Sequence, residues 1–250
     1  MTQDLGQHFL IDKKILDLEV KIAKIKKKES IIEIGAGTGA LTKELSKKAG
    51  KVLAYEIDEQ FKPALDEIEK ENENLKIIYG DALKQPWSEA DKIVSNIPYH
   101  LSEQTILKSI EDDVKELILI VGENFKKILE EKKTKTGIIA DLFFDFEAIE
   151  KIPKSAFSPI PRTDSYLIKL KRKKETSKFN VNNILEQIIS KNGKIKNAIL
   201  YSLVEKGKTK NEAREIISSL GVHDTVLEKP VKSITGEFLS LLRERLEGLI

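Results

Sequence analysis

The feature that most constrains this chain is an alternation. Through its first two-thirds, short and nearly continuous apolar runs take turns with amphipathic stretches. The runs cover residues 30–34, 52–56, 76–79, 92–95, 117–121, 138–149 and 165–170, and helical periodicity fills residues 40–49, 59–71, 102–110 and 123–132. Strands that are apolar on both sides and separated by helices fit a parallel sheet covered on both faces. The fold class expected is therefore α/β and doubly wound. The last two runs have no clear helix between them and are expected to form an antiparallel hairpin at one sheet edge. Residues 1–28 read as helical and lysine-rich.

The pattern changes after Leu170. The stretch Lys171-Arg-Lys-Lys-Glu-Thr-Ser-Lys178 is a polar linker, and only helical periodicity follows, at 181–191, 194–205, 210–220 and 235–246. The expected organisation is a sheet domain over residues 1–172 and a small all-helical domain over 178–250. Charge divides the same way. Residues 171–250 carry 16 Lys and Arg against 10 Asp and Glu, whereas residues 1–170 carry 27 against 31. A basic C-terminal part suits a polyanionic partner.

Composition removes several functions. With no cysteine, disulfides, thiolate metal sites and thiol nucleophiles are excluded. His8, His100 and His223 have no metal-ligand spacing, so no metal is expected. No apolar run reaches the ~18 residues of a membrane span, and the N-terminus does not read as a signal peptide. A cytoplasmic location is expected.

Three segments carry candidate chemistry. In Glu33-Ile-Gly-Ala-Gly-Thr-Gly39, glycines follow a buried strand and precede a helix, which lets a ligand approach the main chain closely. A nucleoside-bearing cofactor fits this turn. The spacing Gly35-x-Gly37-x-x-Ala40, with Glu56 about 20 residues on, also satisfies the dinucleotide fingerprint. Glu56, at the end of the second strand, can accept both hydroxyls of a ribose, and Asp58 is its rival. Asp81, followed by the small Ala82, can accept from an adenine amine. Each acid has a bland alternative, a strand-end charge for Glu56 and a turn residue for Asp81.

The third segment is Asn96-Ile97-Pro98-Tyr99, directly after the fourth strand. The amine of a nucleobase is a poor nucleophile because its lone pair is delocalised into the ring. The Asn96 side-chain oxygen and the Ile97 carbonyl can accept its two hydrogens, letting the nitrogen move toward sp³ as a methyl group arrives. Pro98 stiffens the loop and Tyr99 offers a stacking face. In Ser155-Ala-Phe157-Ser-Pro159-Ile-Pro161-Arg162, a stiff loop carries Phe157, which can stack on the other side of a base or simply plug the hydrophobic interior.

Together these segments, in this order and with Leu5-Gly-Gln-His-Phe-Leu10 near the N-terminus, resemble the KsgA-type ribosomal RNA adenine dimethyltransferases over nearly the whole chain. Erm-type enzymes and transcription-factor relatives of the same fold resemble it more loosely. The resemblance implies a class I, Rossmann-like methyltransferase sheet with a small helical domain, S-adenosylmethionine as cofactor, and dimethylation of two adjacent adenosines near the 3′ end of small-subunit rRNA during ribosome biogenesis. It places His8, Leu10, Gly35, Gly37, Glu56, Asp81, Ala82 and Asn96 at the cofactor. It places Asn96, Ile97, Pro98, Tyr99 and Phe157 at the target base. Lys171, Arg172, Lys173, Lys174, Lys191, Lys194 and Lys196 are the expected RNA contacts. His8 and His100 stand where the family has Asn. Residues 191–198 resemble the start of the basic C-terminal helix of archaeal members.

Overall fold

The computed structural model describes residues 8–173 and 181–250. The chain divides into two units, Met1–Glu130 with Phe144–Arg172, and Glu131–Phe143 with Lys173–Ile250. The segment 131–143, expected within the sheet domain, thus groups with the helical part.

In the first unit a short strand β1 (Phe9–Leu10) leads into α1 (Lys13–Ala23). Then follow β2 (Ser30–Ile34), α2 (Ala40–Ser46), β3 (Lys51–Glu56), α3 (Lys62–Glu71), β4 (Leu75–Tyr79), β5 (Lys92–Asn96), α4 (Ser102–Glu111), β6 (Glu116–Gly122) and α5 (Glu123–Glu131). After the second unit's α6 (Lys135–Phe143) come β7 (Phe144–Ile152), β8 (Phe157–Ser158) and β9 (Ser165–Arg172). Seven strands form one sheet in the order β4-β3-β2-β5-β6-β9-β7. The first five run parallel, and β9 lies antiparallel between β6 and β7. Ile31, Ile32, Val52, Ala54, Ile93, Val94 and the run Leu117–Val121 are buried, which is why these strands read as unbroken apolar runs.

Strand order reverses between β2 and β5, so a crevice opens at their carboxyl ends. The backbone ladder there pairs Ile31 with Lys92 and Ile32 with Ile93. Beyond it the Ser95 hydroxyl takes over, donating to the Ile34 carbonyl (2.6 Å) and accepting from the Ile34 amide (3.2 Å). At the opposite end of the sheet, the ammonium of buried Lys92 pairs with Glu29 (3.3 Å) and Glu116 (3.0 Å) and donates to the Ala23 carbonyl (2.8 Å).

Two expectations need correction. Residues 138–149 are not one strand. They are the end of α6 and the start of β7. The Thr134 hydroxyl accepts from the Gly137 amide and the Thr134 carbonyl from Ile138, which starts a helix whose residues 136–140 are all buried. A helix buried all round has no polar face, so its sequence cannot be told from a buried strand by periodicity. The N-terminal helix is also shorter than expected. Asp12 caps it, and Phe9–Leu10 is extended because it pairs with Ser158 and Phe157.

In the second unit α7 (Val181–Ser190) packs on α6, α8 (Ile195–Glu205) and α11 (Gly236–Glu247), and α8 on α9 (Lys210–Ser219). Ile184, Leu185, Ile188, Ile199, Leu203 and Leu242 form its core. A Thr209–Glu212 capping box starts α9, and a short α10 (Asp224–Leu227), not foreseen, follows it.

Candidate active site

A cavity of about 410 Å³ lies at the carboxyl ends of β2, β3 and β5, within the first unit. All the residues expected at the cofactor and the target base line it: His8, Leu10, Gly35, Gly37, Glu56, Asp81 and Ala82, with Asn96, Ile97, Pro98, Tyr99 and Phe157.

The glycine turn is held from below. Both Gly35 and Ala36 donate their amides to the Tyr55 carbonyl, at 2.8 and 3.0 Å. Glu56, only 3 % exposed, accepts from the Gly37 amide (2.7 Å) through one carboxylate oxygen and from the Asp58 amide (2.8 Å) through the other. Each oxygen keeps a second acceptor site for a ligand. Gly37 has φ +52°, and a Cβ there would come within 2.9 Å of the Phe9 ring. Phe9 therefore lies on the turn, with its edge against Phe61 at 5.4 Å between centroids.

Asp58, the rival of Glu56, is occupied by capping the turn at Gln60. Asp81 also has a structural task, since one of its oxygens accepts from the Leu83 amide at 3.0 Å. Its other oxygen lies 3.7 Å from the Lys84 ammonium, and the residue lines the cavity beside buried Ala82.

At the end of β5 the side-chain oxygen of Asn96 is buried and has no hydrogen-bond partner. A buried acceptor left unpaired costs about 1–3 kcal/mol, so the site is short of one donor. Tyr99, half-buried, sends its hydroxyl to the Ser165 hydroxyl at 2.6 Å. Burial raises the phenol above its usual range, and the Ser165 bond opposes the rise. Phe157 is buried and pairs with Leu10 across β1 and β8. The root of its loop is tied by Asp164, which accepts from the Lys154 amide (3.1 Å) and pairs with Lys151 (3.0 Å). His8 lies beside the base-binding elements. Its Nδ1 is 2.8 Å from the Pro159 carbonyl, and its ring centroid is 6.1 Å from that of Tyr99.

The cavity has one acid that motif reading did not single out. Glu33 is 1 % exposed and its carboxyl is raised to about 8. Burial is the main cause, the Thr42 hydroxyl opposes it, and the charge of Glu56 adds to it. Behind it, Glu19 on α1 is fully buried and raised well above the carboxylate range by burial and then by Glu33. A glutamate inside the apolar run 30–34, and another on the apolar side of α1, are the sequence signals that point to them. Three acids line the cavity and, among the described residues, no Lys or Arg does.

The expected RNA contacts are scattered. Arg172 donates to the Ser109 and Ile110 carbonyls and pairs with Asp113 at 2.8 Å, and Lys171 is exposed beside it on β9. Lys173 pairs with Asp141. In the second unit, Lys191 pairs with Glu205 (2.8 Å) and Lys194 with Glu228 (2.7 Å), while Lys196 is exposed. Lys174 lies outside the described residues. No cluster of metal-binding side chains occurs among the described residues, and no helix among them is long and apolar enough to cross a membrane.

Sheet order and cavity define a Rossmann-like methyltransferase. The crystal structure of a dimethyladenosine transferase from Plasmodium falciparum superposes with a TM-score of 0.72 at 24% identity, covering 96% of this chain and 98% of that one. The 23S rRNA methyltransferase ErmE gives 0.67 at 21%, covering 96% and 99%. These likenesses establish the fold. In sequence, the family "Ribosomal RNA adenine dimethylase" matches residues 1–241. A probable ribosomal RNA small subunit methyltransferase A of Methanococcus maripaludis is 33% identical over 98% of this chain and 99% of its own length. One from Methanopyrus kandleri is 31% identical over 91% and 86%. The chain belongs to the ribosomal RNA adenine dimethylase family and is an rRNA-modifying methyltransferase.

Proposed function

We propose that this protein transfers methyl groups from S-adenosylmethionine to the N6 amines of two adjacent adenosines near the 3′ end of small-subunit rRNA, acting in the cytoplasm on the assembling small ribosomal subunit. The observation that carries the reading is the unpartnered, buried oxygen of Asn96, set in one cavity with Glu56 and the two aromatic rings Tyr99 and Phe157. Such an acceptor is satisfied by an N–H donor, which the adenine amine supplies.

The cofactor assignment is supported by charge. A dinucleotide brings an anionic pyrophosphate, which a cavity with Glu56 and Asp81 and no Lys or Arg among the described residues does not welcome. S-adenosylmethionine brings a sulfonium and an ammonium against one carboxylate, a net positive charge, which it does. Glu56 would hold the ribose and Asp81 the adenine amine, with Phe9 and Leu10 closing over the Gly37 turn. When bound, the cofactor supplies an electrophilic methyl group.

The chain's own residues then do the remaining work. Tyr99 and Phe157 hold the extruded target base between them. The Asn96 oxygen and Ile97 carbonyl accept from its amine and favour the pyramidal nitrogen. Pro98 keeps both acceptors fixed, so no reorganisation is needed as charge develops. No general base has to act first, because the methylated ammonium is acidic and gives up its proton to water.

Small subunits isolated from cells lacking this modification, incubated with the protein and labelled S-adenosylmethionine, test the reading. Label is expected on adjacent adenosines of the small-subunit RNA. Label confined to large-subunit RNA would assign an Erm-type activity. Binding to subunits with no label transferred would make the chain a nucleic-acid-binding factor on the same fold.

A further inference from the structure

We infer that Ser165 and Gly122, a directly opposed pair on the antiparallel strands β9 and β6, are positioning residues that together fix the plane of the Tyr99 ring for capture of the target base. The inference deepens the methyl-transfer reading above and rests on it. Two independent contacts carry it.

The first contact is at the hydroxyl. Ser165 is fully buried, and its Oγ lies 2.6 Å from the Tyr99 Oη. Its backbone is laddered on both sides, to Gly122 on β6 and to Ile152 on β7, so the anchor sits on an interior strand and not on a loop. A phenol held at its far end by a fixed partner cannot swing about its Cα–Cβ bond without giving up that hydrogen bond.

The second contact is at the face. A Cβ built on Gly122 would lie 3.3, 3.4 and 3.5 Å from the Tyr99 Cγ, Cδ2 and Cδ1. Near-equal distances to three adjacent ring atoms place that point over the face of the ring rather than at its edge. The strand backbone at Gly122 therefore backs one face of Tyr99. A side chain there would press on the ring, and the ring cannot yield by a few tenths of an ångström while the Ser165 bond holds its tip. Gly122 is not itself in a left-handed conformation, so its lack of a side chain answers to this close approach.

The two contacts divide the task. Ser165 restrains the swing of the ring about the Cα–Cβ bond, and the Gly122 backbone, against one face, restrains its turn about the Cβ–Cγ bond, in a residue that lines the cavity. The Phe157 loop is rooted on the neighbouring residue, Asp164, through Lys154 and Lys151. Tyr99 and the loop of Phe157, which both line the cavity, are thus tied to adjacent residues, Ser165 at the start of β9 and Asp164 just before it. The angle and gap between two stacking planes decide whether a purine enters with its amine at Asn96.

Two mutant cycles test this, with turnover measured on unmodified small subunits at saturating S-adenosylmethionine and the active fraction fixed by cofactor titration. Ser165→Ala and Tyr99→Phe should each lower kcat by about 2- to 12-fold, the worth of one neutral hydrogen bond. The double variant should be no slower than the slower single, because both changes delete the same bond. In a Tyr99→Ala background, where the ring is gone, Gly122→Ala should cost nothing further, although Gly122→Ala alone lowers kcat at least tenfold. Cofactor affinity should be unchanged in Ser165→Ala. Multiplicative losses in the Ser165/Tyr99 cycle, or a Ser165→Ala protein with wild-type kcat, would overturn the inference. If Gly122→Ala does not fold, the Ser165/Tyr99 cycle decides alone. An inactive wild-type protein would instead count against the methyl-transfer reading itself.

Discussion

Truncating Glu56 to alanine should damage the fold as well as the cofactor site. The carboxylate accepts from the amides of Gly37 at 2.7 Å and Asp58 at 2.8 Å. Hydrogen bonds to a charged group contribute about 1.5–3 kcal/mol each. The Gly37 amide is buried and its loss counts in full, whereas the Asp58 amide is part-buried and recovers part of its bond from water. The expected destabilisation is about 2–4 kcal/mol. With a urea m-value of about 2–3 kcal/mol/M for a protein of this size, the midpoint should fall by roughly 0.7–2 M. Glu56→Gln keeps one acceptor oxygen but turns an NH₂ group toward the other amide, so it should lie between wild type and alanine. Urea unfolding without cofactor measures the first effect, and calorimetric titration with S-adenosylmethionine measures the weakened hold on the ribose. An alanine variant that unfolds at the wild-type urea concentration while losing cofactor affinity would refute the structural half of the argument. It would show that the glycine turn stands without its acidic support.

Other outcomes follow from the same structure. The Glu33 carboxyl is raised by burial to about 8 from an ordinary 4.5, so the folded state holds a proton that the unfolded state has released. Its contribution to stability is fully present below pH 4.5 and is lost as pH rises through about 8, at up to about 1.4 kcal/mol per pH unit. The stability advantage of Glu33→Gln over wild type should grow from pH 5 to 8 and then level off. A pH-independent difference in denaturant midpoints would mean that Glu33 is ionised in the fold. Lys92→Ala, which strips the buried partner from Glu29 while Glu116 keeps Lys169 at 2.7 Å, should cost about 3–5 kcal/mol. Thermal unfolding reads that loss, and cofactor affinity should not move, since Lys92 sits at the far end of the strands from the cavity. Reversing the charge of Lys191, Lys194 and Lys196 together should weaken subunit binding and lower the salt slope by roughly 0.7–0.9 for each phosphate no longer neutralised, with cofactor binding unchanged. Filter binding across salt concentrations checks this, and an unchanged slope would move the RNA surface elsewhere.

Much of this architecture was legible because local and global signals agree. The apolar runs at 30–34, 52–56, 92–95 and 117–121 are strands in the structure, since each is buried on both faces of a parallel sheet. The glycine turn and the Asn96–Tyr99 segment come together because both follow strands on either side of the order reversal. Misreadings arose where tertiary context overrides pattern. Residues 138–143 are apolar all round and become helix, not strand. Phe9 and Leu10 are extended only because Phe157 and Ser158 lie beside them. Pairings across long stretches of chain left no local trace, so neither the Ser95 bridge to Ile34 nor the Ser165 anchor on Tyr99, 66 residues away, could be read in advance. Charge and position in the linker do not show that Arg172 is already engaged with Asp113 and two carbonyls.

The central claim is that the unpartnered oxygen of Asn96 waits for the amine of the target adenine. The most direct measurement compares wild type and Asn96→Ala in methyl transfer to unmodified small subunits, alongside their urea midpoints. Because that oxygen is buried without a partner, removing it should leave stability unchanged or raise it by about 1 kcal/mol. Removing a preorganised group aimed at the reacting atom should lower kcat by roughly 10²- to 10³-fold. A variant that is as stable as wild type and nearly inactive is the predicted result. Wild-type turnover by Asn96→Ala would contradict the account.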